Sequence, residues 1–100
     1  MKQADENTDE LTVNFAAARR MLHAEVGECV RRARTKAGLG QAECARAAGI
    51  DTSSMFRIEK TGQNLTVETL ARLALAIGVP MNELLIGVMP DPAILDPRSR

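Results

Sequence analysis

The sequence predicts an all-α fold of five short helices without a sheet, and three observations carry that expectation. Apolar residues recur at three- and four-residue steps, as in Leu11, Phe15, Ala18, Leu22, Val26, Cys29 or Val30, and Ala33, which is the spacing of one helical face. Glycines stand where such stripes stop, at positions 38, 49 and 78. The apolar 45% includes two aromatic residues and neither Trp nor Tyr, so a core must be built from Ala, Leu, Val, Ile and Met, which suit closely packed short helices. One hundred residues of that content support one small core and hence one domain.

Residues 1–10 hold one Lys against four acids and read as a flexible acidic end. The stripe that begins at Leu11 reads as one long helix from about Asp9 to Lys36, or as a helical extension over 11–23 ahead of a separate first helix. Gly27 is its weak point, costing about 1 kcal/mol relative to Ala. Gly38 ends it. Two short helices follow at 41–48 and 52–60. Thr66 caps a fourth, whose Leu70, Leu73, Ala74 and Ile77 form one face and whose stop is Gly78. Pro80, at a first helical position, opens a fifth through about Ile86. The main domain thus spans 24–86. Residues 87–100, with Pro90, Pro92 and Pro97 and no period, form an irregular tail.

The stretch QAECARAAGIDTSSMFRIEK, residues 41–60, reads as a complete helix-turn-helix. Its second helix must cross the first steeply, so a small residue is needed where the backbones approach, and Ala45 supplies it. Gly49 ends the first helix in a left-handed conformation without a Cβ clash. Asp51 offers an acceptor and a negative charge to the free amides of the next helix. Cys44, Ala48, Met55 and Ile58 fill the apolar slots. In such a motif the second helix lies in the DNA major groove.

With Arg34 before this unit, Glu59 at its end and LTVETLARLALAIGV after it, residues 26 to 85 resemble the phage repressor and Cro-type (Xre-like) helix-turn-helix family. The resemblance covers about three-fifths of the chain and rests on an ordered run of signals. It implies a five-helix, lambda-repressor-like DNA-binding domain with double-stranded DNA as its partner. It also implies that Arg34 pairs with Glu59 as a structural ion pair, which is preferred to the alternative of a DNA contact because the spacing matches the family pattern. The slots that family members use for base contact fall on Thr52, Ser53, Phe56 and Arg57. Arg57 has the chemistry for a bidentate contact to guanine, worth ~1–3 kcal/mol against a wrong base, and otherwise neutralises phosphate. Phe56 covers a thymine methyl or packs on the domain. The family's Gln at the start of the motif implies that Gln41 anchors a phosphate, beside the free amides of its helix. Gly40 departs from the more frequent Ser or Thr before it, leaving that helix without a side-chain cap. Ser54, and Lys60, Gln63 and Asn64 in the following loop, complete the phosphate contacts, the loop residues having a solvated polar loop as the alternative.

Net charge is zero, but the distribution is uneven: residues 11–62 hold nine Lys or Arg against five acids, and residues 63–100 hold three against four. The basic part is the one expected to face DNA. No apolar run approaches a membrane span, and the acidic start is unlike a signal peptide, so the cytoplasm is expected. Cys29 and Cys44 fit neither a zinc site nor a redox pair, and His23 has no companion ligand, so neither metal nor cofactor is expected. No nucleophile–base or paired-carboxylate pattern points to an enzyme, and the length leaves no room for an effector-binding domain.

Two functions remain at this level. One is a sequence-specific transcriptional regulator, a homodimeric repressor reading an inverted repeat. The other is a protein-interaction component such as an antitoxin, for which residues 1–22 or 87–100 would wrap a toxin. The segment EKTGQNLTVETL is similar to that of restriction-modification controller proteins, small autoregulating dimers, which favours control of its own operon. The expected dimer surface is the apolar surplus of the fifth helix and tail: Leu84, Leu85, Ile86, Val88, Met89, Ile94 and Leu95. The stripe from Leu11 to Leu22 ranks second.

Overall fold

A computed structural model describes the backbone of residues 2–63 and 65–95 and the side chains of 14–63 and 65–95. Four α-helices follow one another: α1 (Lys2–Lys36), α2 (Gln41–Ala48), α3 (Thr52–Thr61) and α4 (Val67–Ile77). Two 3-10 turns follow, Met81–Leu85 and Pro92–Leu95, and no strand occurs among the described residues. None of the helices is long and apolar enough to cross a membrane.

The helices end where local chemistry ends them. Gly49 takes φ 74°, and the turn after α2 closes with Gly49 N–H donating to the Arg46 carbonyl at 3.2 Å and Ile50 N–H to the Ala45 carbonyl at 2.9 Å. Asp51 then caps α3, its carboxylate accepting from the Ser54 amide at 2.7 Å and the Ser53 hydroxyl at 2.9 Å. These bonds favour the charged form and hold the Asp51 carboxyl below the usual carboxylate range. Thr66 caps α4 in the same way, accepting from the Thr69 amide at 3.0 Å. Gly40 has no side chain to cap α2, but the Glu43 carboxylate reaches back and accepts from the Gly40 amide at 3.3 Å.

The core gathers all four helices and the first 3-10 turn. Val30 from α1, Cys44, Ala45 and Ala48 from α2, Met55 and Ile58 from α3, Leu73, Ala74 and Ile77 from α4, and Leu84 form one buried cluster. Cys29 is buried beside it, and its thiol donates to the Ile86 carbonyl at 3.4 Å. Both cysteines are unpaired with each other, and burial pushes both thiols up from their ordinary pKa.

Two expectations are corrected. The fifth helix is not an α-helix: Met81–Leu85 is a 3-10 turn, with Glu83 N–H donating to the Pro80 carbonyl at 3.0 Å. Ile86 already leaves the helical region at ψ 124° and Gly87 takes φ 74°, so the segment is too short for an i→i−4 ladder and the tighter i→i−3 pattern wins. The tail is also less irregular than its composition suggests, since Pro92–Leu95 forms a second 3-10 turn that contacts α1.

Gly27 has a different part from the one its helix propensity suggests. α1 crosses the end of α3 there, and a Cβ on Gly27 would overlap the Ile58 carbonyl oxygen. On the other side of the crossing Gly62 sits at φ 65°, where a Cβ would overlap the His23 backbone. Two glycines thus let α1 lie directly on the α3 terminus, and that crossing fixes where α3 points.

Candidate nucleic-acid interface

α3 has an inner and an outer side. Met55 and Ile58 are fully buried and Glu59 is 9% exposed, whereas Thr52, Ser53, Phe56, Arg57 and Lys60 are exposed and Ser54 is half-buried. The residues expected at base edges therefore share the solvent side of one helix. α3 is the second helix of the motif and packs mainly on α1 and α2, whereas α4 packs mainly on α2 and the Met81–Leu85 turn.

The inner side is locked by charge as well as by apolar packing. Arg34 Nε donates to Glu59 Oε2 at 2.6 Å and its terminal nitrogen to Oε1 at 2.9 Å, a bidentate pair whose side chains are 13% and 4% exposed. Bonding to the Glu59 carboxylate raises the Arg34 pKa further. The third Arg34 bond goes to the Leu39 carbonyl at 2.6 Å, in the loop before α2. Gln41, expected at a phosphate, donates its side-chain amide to Glu59 Oε1 at 2.9 Å. One carboxylate therefore ties α1, the start of α2 and the end of α3 together. No buried side-chain polar atom lacks a partner among the described residues.

On the outer side, Phe56 is 48% exposed and carries the Lys60 ammonium 5.3 Å from its ring centroid. Arg57 Nε donates to Gln63 Oε1 at 3.0 Å, bringing together a residue expected at a base and one expected at a phosphate. Asn64, the last of the expected phosphate contacts, lies outside the described residues. Sequence reasoning missed the Gln41–Glu59, Arg34–Leu39 and Arg57–Gln63 bonds. Each joins groups whose meeting depends on a chain geometry that periodicity does not encode.

The surplus of apolar surface is distributed differently from its expected place. Leu84 is fully buried and belongs to the core, so it is removed from the expected dimer surface. Leu85, Ile86, Met89 and Leu95 are exposed, and Val88 and Ile94 are half-buried. Leu75, absent from the expected set, is 83% exposed on α4. Its signal was readable, because it falls off the face formed by Leu70, Leu73, Ala74 and Ile77. The competing stripe is partly covered within the chain, with Ala18 buried and Phe15 and Leu22 half-buried.

A family model describing a helix-turn-helix domain matches residues 25–85. Among solved structures, the chain is similar to the restriction-modification controller protein C.AhdI from Aeromonas hydrophila at 29% identity and a TM-score of 0.60, covering 62% of this chain and 94% of that one. It is similar to the clp gene regulator ClgR from C. glutamicum at 25% identity and 0.62, covering 65% and 84%. It also resembles a hypothetical transcription factor, NHTF, from Neisseria at 27% identity and 0.60, covering 74% and 82%. No curated protein matches the sequence. The matched segment contains α2, α3, α4, the buried Arg34–Glu59 pair and every residue of the buried cluster, and on that match the chain belongs to the helix-turn-helix domain family, of the Cro/C1 type.

Proposed function

We propose that this DNA-binding transcriptional regulator acts in the cytoplasm as a homodimeric repressor of its own operon, reading an inverted repeat with α3 in successive major grooves. The observation that carries the reading is the two-sidedness of α3. Its inner side is fastened by Met55, Ile58 and the Arg34–Glu59 pair, and its outer side presents Thr52, Ser53, Phe56 and Arg57 to solvent. A helix held this firmly meets DNA without an ordering cost. In this reading Arg57 reads a guanine, Thr52 and Ser53 take neighbouring base or phosphate acceptors, and Phe56 lies against a thymine methyl. Ser54, Lys60 and Asn64 neutralise or hydrogen-bond phosphate.

Control of its own operon is supported by the likeness to a restriction-modification controller, and dimerisation by the exposed Leu75, Leu85, Ile86 and Met89. The test is selection of duplexes from a random pool by the purified chain, followed by titration of the selected sequence and of the chain's own upstream region. The reading expects an enriched inverted repeat that also occurs upstream of the gene. Enrichment of no sequence above the starting pool would reject it.

A further inference from the structure

We propose that Gln63 is a specificity-determining positioning residue, which orients the Arg57 guanidinium so that only its two terminal nitrogens face the DNA. The inference rests on the reading of Arg57 as a base contact and goes beyond it by naming what aims that side chain and how. Arg57 is exposed on the last turn but one of α3, where an unsupported arginine samples many rotamers. Its Nε–H is instead taken up by Gln63 Oε1 at 3.0 Å.

The chemistry of the bond fixes its sense. Arginine only donates, so the Gln63 amide must present its oxygen. The bond uses one of the five guanidinium N–H groups, and the remaining four belong to the terminal nitrogens. A side-on approach to guanine, through Nε and one terminal nitrogen, is thereby closed. An end-on approach through both terminal nitrogens remains, and it matches the O6 and N7 acceptors of one guanine.

Gln63 is itself held in place. It follows Gly62, whose positive φ of 65° and close seat against the His23 backbone fix the loop to α1. It also borders a groove with Leu22, Val26 and Leu65, so its stem has an apolar wall to lie along. The aim of Arg57 is therefore set by α1 through the loop as well as by α3.

A role in holding phosphate, the sequence-based expectation for Gln63, predicts a different result, which makes the two separable. The experiment measures affinities of the full chain for its selected operator, for that operator changed at each base pair in turn, and for a random duplex. The variants are Gln63→Ala, Gln63→Glu, Arg57→Ala and the Arg57→Ala/Gln63→Ala pair, each checked for native helix content. Arg57→Ala is expected to abolish discrimination at one base-pair position per half-site. Gln63→Ala should lower discrimination at that same position roughly five-fold, the worth of one ordinary hydrogen bond, and add nothing in the Arg57→Ala background. Gln63→Glu keeps the acceptor, so it should retain the discrimination while its charge weakens all duplexes. Equal loss on operator and random duplexes for Gln63→Ala, with discrimination intact, would overturn the positioning role while leaving Arg57 as a base reader. Unchanged discrimination at every position for Arg57→Ala would overturn both.

Discussion

Glu59 accepts three hydrogen bonds, two from Arg34 and one from Gln41, while almost completely withdrawn from water. Removing Arg34 leaves that carboxylate buried with one partner, so Arg34→Ala should cost ~3–5 kcal/mol in urea unfolding. Gln41→Ala leaves the ion pair whole and should cost about 1 kcal/mol, and its effect on DNA should be equal for specific and random duplexes. A loss from Gln41→Ala as large as that from Arg34→Ala would contradict this division. Asp51 gives a pH signature. Its folded-state pKa is depressed by the α3 cap, so its contribution is present above the ordinary aspartate value of ~3.9 and is lost as pH falls through the folded value. The stability gap between the chain and Asp51→Ala should therefore be constant near neutrality and close only in acid. A gap that widens as pH falls would contradict the cap.

At the scale of elements, the crossing of α1 over α3 sets two effects against each other at Gly27. Ala is the better helix former by about 1 kcal/mol, which alone makes Gly27→Ala stabilising. The added Cβ overlaps the Ile58 carbonyl, which is backbone and yields little, and overpacking of this kind costs ~1–3 kcal/mol or more. The overlap should win, lowering the unfolding midpoint and tilting α3, with operator affinity falling as well. A raised midpoint would show that the crossing is loose. This is also where the sequence was hardest to read. α2, the turn at Gly49, α3 and α4 were legible because caps, stops and apolar stripes agreed locally at Asp51, Thr66 and Gly78. Gly27 gave a local signal of weakness whose tertiary meaning lay in Ile58, thirty-one positions away. The 80–86 helix failed for a local reason, since Ile86 turns to extended backbone before Gly87 and leaves five residues that satisfy a 3-10 turn better than an α-turn. On α3 the outer and inner residues were readable from the 3.6-residue period. What periodicity could not supply was the bond from Arg57 to Gln63 across a loop.

At the scale of the whole molecule, one α3 covers only a few base pairs, and the basic excess of the segment that carries it is modest. The proposed dimer supplies a second α3, and the exposed Leu75, Leu85, Ile86 and Met89 are the apolar surface proposed to join the two copies. Replacing Leu85 and Met89 by Glu should leave each protomer folded, since both side chains lie outside the core, yet convert the chain to a monomer and reduce operator affinity by orders of magnitude. In the proposed dimer the two α3 helices would sit about 34 Å apart, entering successive grooves of an inverted repeat. Sedimentation equilibrium of the chain with its selected operator duplex addresses the dimeric reading most directly. Two protomers per duplex, with the free chain dimeric at micromolar concentration, is the predicted result; one protomer bound per operator by a monomeric chain would contradict it.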